Sequence, residues 1–500
     1  MKISNKLFSH LLAIVIFFAG FQPAISKAES AFDPNSISPK LKEMLIPLKT
    51  TQAGNGFEDL QPLKDILKDV KILGMGEATH GTKEFFQMKH RMYEFLVEEM
   101  GYRAFAIEAE FGIHKIINDY ILNGNGSMED VISAMVMWPW STQEVADMID
   151  WMKEYNQNPN NIENIRFYGF DMQGVNSTVA NIQAYLEIVD PTSELLSDFS
   201  YLNPPYEKSN TEPLVKKLVD AFEKNKDTYV SLSSKEEYEI IRRELEIILQ
   251  NLHFEISSPF LNSGTETSKE KFIKYVIFRD ASMAENVKWI HNYEKEYFKN
   301  DKIMLWAHNG HISNHLPTTN MGSLLKDEFK NAYYSLGFDF YKGSLVTIGE
   351  TTLGIIELDE PKERIFSSYF KETGYPISFL DFTTASTDRD IEAWLSVEHL
   401  MHLIGSKLYE TRELDKVIPK EYYDGIINIE NTNAAETLYH DLPKVQPIPL
   451  PTGKATESEE EVAPLTLNGD HANNSTYWIA IGLLITLISR IDFLEGKNKA

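Results

Sequence analysis

One pattern restricts this chain more than any other. An apolar run of strand length ends in a charged or imidazole side chain, and a helical spacing of apolar residues follows. "VKILGMG" leads into Glu77 and His80, and "YRAFAIEAEF" carries Glu108 and Glu110. "NIRFYGFDMQG" ends at Asp171, and "DKIMLWAHNGHIS" ends at His308 and His311. "AYYSLGFDFYKGSL" carries Asp339, "PISFLDFTT" carries Asp381, and "YYDGIINIENT" reads as a last strand. The intervening "EFFQMKHRMYEFLVEEMG" places Phe85, Met88, Met92, Phe95 and Leu96 near a 3.6-residue period and stops at Gly101. Such alternation predicts an α/β fold with a largely parallel central sheet flanked by helices. The stretch from about 175 to 300 is long, charged and helix-rich, and predicts a helical insertion or subdomain. Ligands of open parallel sheets bind beyond the carboxyl ends of the strands, so the polar residues at these ends are expected to converge.

Charge and composition exclude several partners. The formal net charge is −26, which disfavours nucleic acid, because neutralising phosphates needs clustered Lys and Arg. The chain holds no cysteine, so thiolate nucleophiles, disulfides and cysteine metal sites are out. Residues 1–28 combine Lys2 and Lys6, an apolar core and small residues, the pattern of a secretory signal peptide. At the other end, 446–476 reads as an acidic, disordered linker, and 477–494 as a candidate C-terminal membrane anchor with Tyr477, Trp478 and Arg490 at its borders. A secreted or cell-surface location is therefore expected. The sequence does not speak to oligomeric state.

The chemistry starts at "GEATHG", residues 76–81. His80 is a candidate general base near neutral pH, and Glu77, three residues earlier, can orient it. Gly76 and Gly81 are expected to let the backbone bend and approach a ligand. "WAHNGHIS" supplies His308 and His311. Glu108 is a candidate buried carboxylate beside them. Asp171 is placed to orient a histidine or to form a turn. Arg279 can bind an anionic group or serve the fold. Trp138 and Trp140 can line an apolar cleft or pack in the core. Lys89 and Arg91 lie on the helix after His80, and one of them is expected on a solvated face. No G-x-S-x-G elbow, P-loop or H-E-x-x-H stands in the sequence, which disfavours the usual serine esterases, nucleotidases and zincins.

Taken together, "GEATHGTKEFFQMKHRMYEFLVEE", "FAIEAEFG", "YGFDMQG", "RDASMAENV" and "WAHNGHIS" resemble the erythromycin esterase family, in order, from about Pro34 to Tyr439. That family includes proteins named for succinoglycan biosynthesis. The resemblance implies a hydrolase domain over 29–445 and the opening of a carboxylic ester or macrolide lactone by activated water, without a covalent serine ester and without a cofactor. It implies His80 as the base, supported by Glu77, with Glu108 and His308 in the catalytic site. His311, Lys89, Asp171, Trp138 and Arg279 are then expected at the substrate. Some macrolide-cleaving members carry an arginine nine residues after the base; Lys89 stands there and lacks the bidentate fork. Two other function classes fit the same residues. One is a metal-dependent hydrolase with Glu77, His80, His308 and His311 as ligands. The other is a non-enzymatic surface protein that binds a saccharide or another small ligand.

Overall fold

The computed structural model describes residues 32–257, 268–316, 318–350, 352–409, 413–438 and 442–448. The expected signal peptide, the expected anchor at 477–494 and all but the first residues of the expected linker lie outside them. Among the described residues no helix is long and apolar enough to cross a membrane.

Among the described residues eleven strands occur in chain order: β1 (Ile46–Pro47), β2 (Ile72–Met75), β3 (Ala104–Glu110), β4 (Arg166–Asp171), β5 (Ile303–Trp306), β6 (Tyr333–Ile348), β7 (Leu353–Leu358), β8 (Ile377–Asp381), β9 (His399–His402), β10 (Leu414–Val417) and β11 (Gly425–Thr432). The main sheet runs β1-β8-β11-β6-β2-β5-β3-β4, with β7 paired to β6, while β9 and β10 form a separate hairpin. The six strands from β11 to β4 are mutually parallel; β1, β7 and β8 are antiparallel additions. This is the α/β architecture expected from the alternation.

Strand side chains sort by parity. Ile303 and Leu305 pack on one face of β5, Met304 and Trp306 on the other. In β3, Ala104 and Ala106 join the first face, Phe105 and Ile107 the second. Both faces are buried, as a parallel sheet requires. A slip of one residue would exchange every one of these side chains, which fixes the register. The helix Lys83–Met100 covers the second face with Phe85, Phe86, Met88, Met92, Phe95 and Leu96, and ends at Gly101 with φ +74°. Between β4 and β5 the chain forms the long helices Asn176–Val189, Lys208–Leu232, Lys235–Ile256 and Ser268–Tyr293. Their apolar residues share one core with the first face of the sheet.

The topology selects where a ligand can sit. From β2 the chain crosses to β3 on one side of the sheet, and from the adjacent β5 it crosses to β6 on the other. Connections that diverge from neighbouring strands leave a crevice beyond their carboxyl ends. The loops there carry His80 and His308. Asp381 does not join them: β8 runs antiparallel, so its end meets Tyr334 at the start of β6, where Asp381 accepts from the Tyr334 hydroxyl at 2.9 Å. The expected convergence of strand ends therefore holds for the parallel strands and fails at Asp381, because a strand's direction decides which edge its end reaches.

Candidate active site

The two glycines of the β2 loop are needed for neighbours, not for a ligand. A Cβ on Gly76 would lie 2.1 Å from Asn309 Oδ1, and one on Gly81 would lie 2.1 Å from the Val346 carbonyl oxygen. Asn309 ties the loops together. Its backbone N–H donates to the Glu77 carbonyl at 2.9 Å, and its side-chain amide exchanges hydrogen bonds with the backbone of Phe338.

Within this frame Glu77 is fully buried and holds three donors. His80 Nδ1 lies 2.7 Å from Oε1, while Lys89 Nζ and Trp306 Nε1 reach Oε2 at 2.6 and 2.7 Å. A carboxylate accepts only, so Nδ1 carries a proton, and in the neutral ring Nε2 of His80 keeps a lone pair. Nε2 makes no hydrogen bond among the described residues. Burial pushes the Lys89 ammonium down to about 8, against the pull of Glu77.

His308 faces His80 with ring centroids 5.1 Å apart. Its Nδ1 accepts from the Gly310 N–H at 3.2 Å, which places the proton on Nε2. Burial, then the charges of His80 and His311, holds its pKa well below the usual histidine range, so the ring is neutral. Glu108 and the adjacent Ile404 backbone pull the other way, yet Nε2 makes no hydrogen bond of good geometry among the described residues. A buried N–H donor without a partner costs roughly 1–3 kcal/mol, and a developing oxyanion would recover that cost.

Behind the histidines lies a charged network. Glu108 accepts from the His308 backbone N–H at 3.0 Å and from Arg279 Nη2 at 2.7 Å. Arg279 also clamps Asp171, through Nη2 at 2.6 Å and Nε at 3.2 Å. His311 Nδ1 lies 2.8 Å from Asp280 Oδ1. Its Nε2 is 3.0 Å from Arg279 Nη1 and 3.3 Å from Glu108 Oε1, so it either accepts from the first or donates to the second. Three carboxylates, Glu108, Asp171 and Asp280, stand against one guanidinium, and this excess favours the imidazolium that donates. Asp280 and Glu108 raise His311 to about 10 despite its burial. Against its own burial, His311 and Arg279 hold Glu108 well below the usual carboxylate range.

A family model for erythromycin esterase matches residues 97–432. The chain belongs to the erythromycin esterase family. The matched span contains Glu108, Asp171, Arg279, His308 and His311 and begins after Glu77 and His80. Erythromycin esterase type II of Escherichia coli is 24% identical over 438 residues, covering 80% of this chain and 98% of that protein. YbfO of Bacillus subtilis (strain 168), named there as a hydrolase, is 26% identical, covering 84% and 96%. The fold matches solved structures. A Bacillus cereus protein gives a TM-score of 0.71 at 24% identity, covering 82% of this chain and 100% of that one. A succinoglycan biosynthesis protein gives 0.67 at 22%, covering 81% and 98%. An erythromycin esterase mutant in its open conformation gives 0.55 at 14%, covering 77% and 96%.

For this erythromycin esterase family member, the geometry revises several expected roles. Glu77, His80, Glu108, His308 and His311 come together as the sequence suggests. Lys89, expected at the substrate, is wholly buried behind Glu77, with its ammonium 4.5 Å from the centre of the Trp306 ring. It holds Glu77. Arg91 is not on a solvated face either; it is buried and ion-paired to Asp59 at 2.5 Å. Arg279 is spent on Asp171 and Glu108, which leaves it unavailable to an anionic ligand, and Asp171 accepts from Arg279 and from the Met172 and Gln173 N–H groups rather than from a histidine. Of the two tryptophans, Trp140 rather than Trp138 carries the ring contact with His80, at 6.3 Å, and donates from Nε1 to the Glu108 carbonyl. Asp280 and Trp306 gained no role from the sequence, because each meets its partner only through the packing of distant elements. Of the four residues of the metal reading, Glu77 and His311 are engaged by protein partners, while His80 and His308 each keep Nε2 unbonded among the described residues. Among the described residues, no group of three or more His, Asp or Glu is arranged to hold a metal ion. Two surface cavities, about 560 Å³ beside Lys83 and Gln87 and about 520 Å³ beside Glu98 and Trp151, contain none of these histidines. Paired carboxylates and imidazoles define the site.

Proposed function

We propose that this protein hydrolyses a carboxylic ester or macrolide lactone with water activated by His80. One observation carries the proposal: His80 Nε2 is an open lone pair with Glu77 behind it, facing a neutral histidine whose Nε2–H has no partner. His80 Nε2 takes a proton from water, and the hydroxide attacks the carbonyl carbon. The carbonyl oxygen becomes an oxyanion and accepts a hydrogen bond from the His308 Nε2–H. When the C–O bond breaks, the His80 imidazolium returns its proton to the departing alkoxide. Glu77 keeps the His80 proton on Nδ1 and balances the transient imidazolium charge. No hydroxyl of the described residues bonds to His80 Nε2, which supports water over a covalent serine ester.

Similarity to an erythromycin esterase supports a macrolide as the first substrate to try, and hence antibiotic inactivation. If residues 1–28 direct secretion, the reaction takes place outside the cytoplasm. The test is mass spectrometry of erythromycin and simple esters after incubation with the full chain. A gain of one water by the macrolide is the expected result. Equal hydrolysis by wild type and His80→Ala would remove His80 from its role.

A further inference from the structure

Asp339 lies on β6, one strand beyond the β2 loop that carries His80, and the hydrolytic scheme does not use it. Four donors converge on its carboxylate. The Phe340 N–H, the His402 N–H and His402 Nδ1 reach Oδ1 at 2.9, 3.3 and 2.9 Å, and the Ser367 hydroxyl reaches Oδ2 at 2.8 Å. The His402 ring also stacks on Phe340, centroids 4.0 Å apart. His402 is thus fixed in position and plane, with a proton on Nδ1 and, in the neutral ring, a lone pair on Nε2.

This repeats the arrangement at His80: a carboxylate on Nδ1 and an open Nε2. His402 Nε2 makes no hydrogen bond among the described residues, and it is absent from the buried polar atoms that lack a partner, where His308 Nε2 is found. A purely structural histidine in a core would have its second nitrogen sealed or bonded. The connection to the site is direct. Two residues after His402, the Ile404 N–H donates to the Ala78 carbonyl within the His80 loop, at 2.7 Å. The same Ile404 backbone borders His308.

We propose that His402, held by Asp339, is a hydroxyl-binding position of this site, its Nε2 accepting a hydrogen bond from an alcohol group of the substrate. An imidazole locked with its proton on Nδ1 selects for donors. Phe340, Leu403 and Ile404 around it are buried and apolar, so an uncharged hydroxyl fits better than an ammonium that would have to shed its water. The substrate class is a hydroxylated ester or lactone, and the proposal rests on the ester-hydrolase reading for the rest of that molecule. His402 is a positioning residue here and takes no part in proton transfer.

The experiment compares 2-hydroxyethyl butanoate with ethyl butanoate on the full chain and on His402→Phe, which keeps an aromatic ring against Phe340. The expected result is a KM at least tenfold higher for the hydroxylated ester alone, with both kcat values within twofold of wild type. A KM that changes equally for both esters, or for neither, overturns the proposal. A second arm needs neither turnover nor a folded His402 variant. The His80→Ala protein, labelled with ¹⁵N at histidine, is titrated with 2-hydroxyethyl butanoate. The His402 Nε2 resonance is expected to start in the unprotonated range and to shift on addition of the hydroxylated ester and not of ethyl butanoate. No selective shift overturns the proposal. A selective shift in a protein whose wild type hydrolyses neither these esters nor erythromycin would leave the hydroxyl position standing and remove the esterase reading.

Discussion

Replacing Glu77 by glutamine tests the whole arrangement with one atom. Glu77 Oε2 accepts from Lys89 and Trp306, both of which offer only protons at that point. The glutamine oxygen must therefore face them, and its NH2 must face His80 Nδ1. Nδ1 then has to accept, so the single ring proton of neutral His80 moves to Nε2, the atom that should take a proton from water. The equivalent carboxylate-to-amide change in a Ser-His-Asp triad lowers kcat about 10⁴-fold by trapping the wrong tautomer. At 1.36 kcal/mol per decade this is about 5.4 kcal/mol of barrier. We expect kcat to fall 10³- to 10⁴-fold, roughly, with KM within about threefold, because the substrate-facing surface is unchanged. Stability should fall as well. Breaking a buried ion pair costs about 3–5 kcal/mol, and Lys89, already lowered to about 8 while Glu77 attracts its proton, reduces that loss by becoming neutral. The double variant Glu77→Gln/Lys89→Met should recover stability without recovering kcat. Steady-state kinetics and thermal melts on the three proteins decide the matter. A Glu77→Gln enzyme that keeps more than a tenth of wild-type kcat would refute the tautomer reasoning.

Three further outcomes follow from the same geometry. His308→Phe removes the unpartnered donor and should lower kcat about 10²- to 10³-fold, or about 2.7–4 kcal/mol, for any ester tested; an effect confined to KM would argue for substrate binding instead. Arg279→Met leaves Glu108 and Asp171 facing each other and should cost about 3–5 kcal/mol by denaturant titration at pH 7. Because His311 and Arg279 hold the folded Glu108 well below its ordinary value, the stability this gives wild type is present above about pH 4.5 and declines as pH falls through the folded value; the variant, which keeps His311, should show a weaker decline. Glu110 is the opposite case. Burial raises it to about 7 despite donors from the backbone of Thr178 and Ser177. A raised carboxylate binds its proton more tightly in the folded state, so its stabilising effect is full below about pH 4.5 and lost as pH rises through 7. Glu110→Gln should flatten melting temperature against pH across that window, and a profile parallel to wild type would show that Glu110 does not titrate there.

Much of this protein was legible along the chain. Strand–helix alternation determined the α/β class, because burial on both sheet faces requires apolar runs of strand length between amphipathic helices. The glycines, Glu77 and His80 could be read as one unit because they are local: three residues separate the carboxylate from the ring it orients. His308 and His311 were legible for the same reason. Position relative to the sheet was not. Asp381 looked like another strand end at the site, and only the antiparallel direction of β8 sends it to the opposite edge. Lys89 was expected at the substrate, and one of Lys89 and Arg91 on a solvated helix face. Tertiary packing turned both inward, one onto Glu77 and the other onto Asp59, because a buried carboxylate needs a cation and neither partner is a sequence neighbour. The protonation of the site was decided in space too. His308 is neutral because β3, β5 and the loop after β2 bury it among other charges, while His311, three residues on, is cationic because Asp280 reaches it from a helix of the long excursion. Sequence alone determines which groups are available and which lie within one turn of each other. Only the folded sheet decides which of them meet, since hydrogen bonds and charge interactions of this strength act over a few ångströms, and the chain brings residues more than two hundred positions apart to that distance.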